Sequence, residues 1–159
     1  MTTVKLGTNP IAWSNDDLPE LGGDTPLEIC LRETREAGFT GTEMGNKFPK
    51  EPNALNAKLA EFGLEFVSGW YSAELRTRTV EEEIRAMQSH LDLLAACGCK
   101  VMVFAETSGT VQGRRDVAVA DRPTMGEDEW PGYLDRISAL SEYMAGKGVN
   151  LAFHHTWAR

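Results

Sequence analysis

His154 and His155 stand side by side directly after a short apolar run, Asn150-Leu151-Ala152-Phe153. Imidazoles at the carboxyl end of a strand suit metal binding and proton transfer, and because side chains alternate across a strand only one of the two can face the inside of a sheet. Glu106 stands in the matching place after a second run, Lys100 to Ala105 (KVMVFA). A carboxylate there is expensive to bury unless it is paired or has a function. Glu43 raises the same question, and either Lys47 or a ligand hydroxyl can be its partner. Thr107 follows Glu106 on the same run, and Asn9 and Trp13, and Trp70 and Tyr71, stand at the ends of other short runs. The indoles either pack internally or lie against the face of a sugar-like ring.

These positions share one place in a repeating unit. Lys5 to Ala12 reads as a strand, and Thr25-Pro26-Leu27-Glu28 reads as a capping box with proline at the first helical position. The first helix buries Leu27, Cys30, Leu31 and Thr34 and stops at Gly38. Gly41 to Met44 is the second strand, Leu55, Leu59 and Phe62 mark the second helix, Gly63 stops it, and Glu65 to Trp70 is the third strand. Thr79 to Glu82 repeats the capping box ahead of a stripe of Ile84, Met87, Leu91 and Leu94 that ends at Gly98. The fourth strand is Lys100 to Ala105, unbroken after its lysine as a strand covered on both faces should be. A fourth helix carries Trp130, Tyr133, Leu134, Ile137, Leu140 and Met144, stops near Gly146 to Gly148, and leads into a buried fifth strand, Asn150 to Phe153.

Strand–helix alternation with short turns predicts an α/β fold with a parallel sheet. No glycine-rich phosphate loop follows the first strand, where Asn9-Pro10-Ile11-Ala12-Trp13 is too bulky to cradle one. This favours a (β/α)8 barrel over a doubly wound sheet. Such a barrel takes eight strands and about 250 residues. Residues 1–159 are therefore expected to be one unit, the N-terminal portion of a barrel, with about four βα units and strand five, truncated after that strand. Reactive groups in a barrel lie at the carboxyl ends of the strands and in the loops that follow, which is where the candidates fall. The long segment from Glu106 to Gly126 is on that side and reads as a lid or substrate wall; any one of Arg114, Arg115 and Arg122 reads first as solvated surface and second as a contact for a polar ligand. Asp16-Asp17 and Glu81-Glu82-Glu83 read as a solvated loop and a helix's first turn.

Composition excludes several classes. A net charge of -8 gives no footprint for a phosphate backbone, so nucleic acid is not an expected partner. No apolar run is long enough to span a membrane. Three cysteines, an odd number, and no leader pattern over Met1 to Thr8 point to the cytoplasm. Cys97-Gly98-Cys99 is a weak metal or redox hint beside the plainer reading of small buried side chains.

The stretches NPIAWSNDDLPELGGD at Asn9 to Asp24, AGFTGTEMGNKFP at Ala37 to Pro49 and VFAETSGTVQG at Val103 to Gly113 resemble the inosose dehydratase family of the xylose isomerase-like barrel superfamily. The resemblance implies metal-assisted loss of water from 2-keto-myo-inositol (scyllo-inosose), giving a trihydroxycyclohexane-dione in myo-inositol catabolism. It implies a divalent metal, cobalt or manganese, and glutathione. In that chemistry a base removes the proton beside the ketone and an acid protonates the departing hydroxyl. Glu106 and His155 are then the catalytic candidates, and Asn9, Trp13, Glu43, Lys47 and Trp70 the substrate-binding ones, for a small cyclitol. Superfamily members carry a metal-binding glutamate at the end of an L-A-x-E strand, which aligns with Leu151-Ala152-Phe153-His154; His154 is the implied metal ligand, with the others on later strands.

The sequence departs from the family after His155, where Thr156-Trp157-Ala158-Arg159 replaces a pattern similar to H-H-H-M-G-T. A frameshift, premature stop or gene-model error after His155 is the expected explanation. Two other functions stay open: a sugar-phosphate or ketose isomerase or epimerase on the same barrel, and a non-catalytic half barrel. Self-association through open sheet edges is expected of the latter.

Overall fold

The computed structural model describes residues 4–111 and 114–155. Met1 to Thr3, Gln112-Gly113 and Thr156 to Arg159 lie outside the described residues, and with them part of the leader reading, the end of the third family-like stretch and the departure after His155. Five strands, β1 (Gly7–Thr8), β2 (Gly41–Met44), β3 (Glu65–Ala73), β4 (Val101–Glu106) and β5 (Asn150–Phe153), form one sheet. Every pairing is parallel, and the order across the sheet is the order along the chain. A doubly wound sheet reverses its order at a switch point; this sheet advances one strand at a time, as a barrel does. Helices α1 (Leu27–Glu36), α2 (Pro52–Glu61), α3 (Val80–Ala96) and α4 (Trp130–Gly146) connect the strands.

Local chemistry sets most of these boundaries. The Thr79 hydroxyl accepts from the Glu82 N–H, and the Glu82 carboxylate accepts from the Thr79 N–H at 2.8 Å, closing the expected capping box of α3. Gly98, at φ 78°, turns the chain out of α3 where a side chain would be strained. The core lies between sheet and helices, where Leu55, Leu91, Leu94, Met102, Phe104, Leu140 and Met144 are fully buried. Burial of this apolar area is the main stabilising contribution to the fold.

Several expectations need correction. The first strand is confined to Gly7–Thr8, because the Asn9 side chain captures the Ile11 N–H at 2.9 Å and turns Pro10–Ala12 into a 3-10 helix. Thr25 does not cap α1; Pro26 is the capping residue in extended conformation, without a side-chain bond. β3 runs three residues further than expected, so Trp70 and Tyr71 sit inside it, paired with Val103 and Phe104. Trp130 and Leu134 of α4 are exposed, since the packed stripe is Tyr133, Leu140 and Met144. β5 is an edge strand with Phe153 exposed, because among the described residues no strand pairs its other side. Glu83 stands in the first turn of α3, as expected, but is buried there. It is 0% exposed and accepts from the Tyr71 hydroxyl at 2.5 Å, the Glu74 N–H at 3.1 Å and Arg78 at 3.3 Å, fastening the end of β3 to α3.

Candidate functional site

Right-handed crossovers put the helices on one face of a parallel sheet. Thr42, Met44, Phe66, Met102 and Phe104 are buried on that face. Alternation then turns Glu43, Trp70 and Val103 to the inner face. The register slips between Thr42 and Glu43, so Phe66 stands opposite Thr42 while Ser68 stands opposite Glu43. This extra residue in β3 brings the Ser68 hydroxyl to the inner face, where it donates to Glu43 Oε1. The Asn9 amide donates to Glu43 Oε2 at 2.6 Å. Asn9 and Glu43 are thus brought together, and Lys47 is not the partner of Glu43. Lys47 instead donates to the backbone oxygens of Gly22 at 2.8 Å and Thr25 at 2.5 Å, closing the loop before α1.

Trp13 is likewise engaged elsewhere, with its ring N–H donating to Glu33 on α1 at 2.6 Å. Trp70 lies across the inner face with its ring edge-on to His154, centroids 5.0 Å apart and planes at 67°. Its indole N–H donates to Ser72 at 2.9 Å. The alternation expected of the two histidines therefore resolves with His154 against Trp70; both imidazoles are exposed.

Glu106 closes β4 on the side of Phe104, so it points beneath the loop that follows. Its carboxylate is held by two backbone donors, the N–H of Arg76 at 3.2 Å and of Ser108 at 2.9 Å. It borders a cavity of about 310 Å3, which His154, His155, Ser108, Arg76, Tyr133, Trp130, Met125 and Phe153 also line. The segment after Glu106 walls this cavity through Ser108, Thr110 and Arg122 to Met125. Arg114 and Arg115 face away from it in exposed ion pairs with Asp116 at 3.1 Å and Glu20 at 2.8 Å. Thr107 fastens β4 to β3, with its N–H and hydroxyl donating to the Ala73 oxygen at 2.7 and 2.9 Å.

Sequence reasoning missed Ser68, Ser108 and Tyr133. Ser68 reaches Glu43 only through the register slip. Tyr133 reads as one more apolar position on a helical stripe, and its spacing carries no signal that the residue lines a cavity. The cysteines are free thiols, and burial, followed by the neighbouring Cys97, pushes Cys99 up to about 11, so it is a poor thiolate donor.

A divalent metal requires several converging ligands. Among the described residues no three His, Cys, Asp or Glu side chains converge in that way. His154 can contribute one imidazole, and the residues described here do not make a metal centre without further ligands.

A family model described as "Xylose isomerase-like TIM barrel" matches residues 31–159. Over 158 residues, 98% of the chain and 48% of the relative, the chain is 46% identical to "Rhizopine catabolism protein MocC" of Rhizobium meliloti. Over 153 residues, 96% of the chain and 51% of the relative, it is 40% identical to "Inosose dehydratase" of Geobacillus thermodenitrificans. The chain spans about half the length of the curated relatives it matches. Among solved structures, a sugar phosphate isomerase/epimerase from Parabacteroides distasonis superposes with a TM-score of 0.65 at 17% identity, covering 94% of this chain and 50% of that one.

Proposed function

Since the chain belongs to the xylose isomerase-like TIM barrel family, we propose that it carries acid–base residues for the dehydration of a keto-cyclitol, 2-keto-myo-inositol, to a trihydroxycyclohexane-dione. The observation that supports this best is the meeting of the Glu106 carboxylate with His154 and His155 at one cavity. Its volume of about 310 Å3 is at the lower end of small-molecule pockets and suits a six-membered ring. Likeness to inosose dehydratase at 40% identity supplies the substrate class.

In this reading Glu106 takes the proton from the carbon beside the ketone. The Arg76 and Ser108 N–H groups orient the carboxylate, one on each oxygen. His155 protonates the hydroxyl that leaves from the next carbon, so that one water departs and the enol formed relaxes to the dione. Asn9, Glu43 and Trp70 stand on the inner face of the sheet, outside the lining of this cavity, and their substrate-binding role is what the resemblance implies. Cobalt or manganese bound partly through His154, and glutathione, are additions that the resemblance implies.

Consumption of 2-keto-myo-inositol by the 159-residue chain, with and without chelator and with each metal restored, tests the proposal. Glu106→Gln should reduce turnover by about 10²–10⁴-fold. Equal turnover by wild type and Glu106→Gln would overturn the acid–base assignment, and indifference to chelator would remove the metal. Turnover of an open-chain ketose instead would favour the isomerase or epimerase alternative. The free thiols support a cytoplasmic setting, and among the described residues no helix is long and apolar enough to cross a membrane. Self-association through the outer edges of β1 and β5 fits the exposure of Leu6 and Phe153, and sedimentation would detect it.

A further inference from the structure

Among the oxygen-bearing side chains that line the cavity beneath the segment after β4, Glu106 has both carboxylate oxygens bonded, whereas two hydroxyls are left over. The Tyr133 and Ser108 hydroxyl oxygens are buried with no hydrogen-bond partner among the described residues. Tyr133 is 2% exposed, and Trp130 holds its ring edge-on, centroids 6.2 Å apart and planes at 87°. Buried hydroxyls are matched in nearly all folded proteins, and two unmatched ones at the same cavity call for an explanation. Burial, and then the charge of Glu106, raise the Tyr133 phenol above its ordinary range. It stays protonated and is a donor in need of an acceptor.

The walls supply the remaining constraints. Met125, Trp130 and Phe153 offer apolar surface to ring C–H groups, and the charges on the wall are of both signs, Glu106 with Arg76 and Arg122. We propose that Tyr133 and Ser108 are the hydroxyl-recognition groups of a ligand subsite for a neutral polyhydroxylated ring. Tyr133 donates to one ring oxygen, and Ser108 donates to or accepts from its neighbour. The ring's identity as a cyclitol rests on the dehydratase reading; the subsite rests on the two hydroxyls and the cavity.

Calorimetric titration of the 159-residue chain with myo-inositol, which lacks the ketone and does not react, tests this together with thermal unfolding in the absence of ligand. Tyr133→Phe and Ser108→Ala should each keep or raise the unfolding midpoint, because each removes a buried hydroxyl that has no partner. Each should weaken myo-inositol about 5–10-fold. Unchanged affinity in both variants overturns the proposal, as does a wild type that binds neither myo-inositol nor glycerol. A chain that binds myo-inositol through Tyr133 yet never consumes 2-keto-myo-inositol upholds the subsite and sinks the dehydratase reading. Turnover with KM unchanged in both variants does the reverse.

Discussion

The Asn9 side chain joins two elements with its two ends: its amide donates to Glu43 on β2 at 2.6 Å, and its carbonyl oxygen accepts the Ile11 N–H at 2.9 Å. One residue therefore both ends β1 and orients a carboxylate on the inner face. Asn9→Ala removes the cap and one of the two partners of Glu43, and should lower unfolding stability by about 1–3 kcal/mol. Asn9→Asp keeps the cap but sets two carboxylates against each other, and should be the more damaging at neutral pH. Urea denaturation of the pair decides it; equal stability of all three proteins would show that the contact contributes nothing.

Glu83 provides a second test, because its carboxylate serves Tyr71, Arg78 and the Glu74 backbone from a fully buried position. Truncation to alanine leaves the Tyr71 phenol and part of the Arg78 guanidinium without their acceptor. The expected loss is about 3 kcal/mol or more, with Glu83→Gln intermediate. A change below about 0.5 kcal/mol in Glu83→Ala would contradict this account.

His90 links stability to pH. Burial, ahead of any other influence, holds its imidazole below the ordinary value of 6.5. Its ring stacks on Tyr71 at 6.3 Å, and a side chain on Gly69 would come within 2.6 Å of it. The unfolded chain then binds the proton more readily than the folded one, so the contribution of His90 is complete above about pH 6.5 and is lost as the pH falls below it. The gap in unfolding midpoint between wild type and His90→Gln should shift against wild type from pH 7.5 to pH 5. A gap independent of pH would exclude this linkage.

Lys47 separates a structural cation from a substrate-binding one. Its ammonium bonds to the Gly22 and Thr25 carbonyl oxygens, so Lys47→Met should lower stability by about 1–3 kcal/mol. Should turnover of the keto-cyclitol be established, KM should stay within about twofold, since a contact absent from the bound ligand changes neither binding nor catalysis. A tenfold rise in KM with stability intact would return Lys47 to the substrate.

The residues most legible in the sequence are those whose structural cause is local. Thr79 and Glu82 close a box within one helical turn, Gly98 ends α3 by its own backbone freedom, and the apolar run before Glu106 places that carboxylate at a strand end. The periodic units with short turns likewise point to a parallel α/β chain, whereas the strand order that advances one step at a time is seen only in the sheet. What the tertiary structure decided is which of these groups meet. Ser68 faces Glu43 because β3 slips by a residue against β2. Trp70 meets His154 across the intervening β4, and Glu83 disappears under Tyr71. Tyr133, one more position on an apolar stripe, lines a cavity at the far ends of β4 and β5, with its hydroxyl buried and unmatched among the described residues. Hydrogen bonds within a turn and hydrophobic period depend on neighbours a few residues away, whereas register and side-chain burial between distant strands depend on the whole packed sheet.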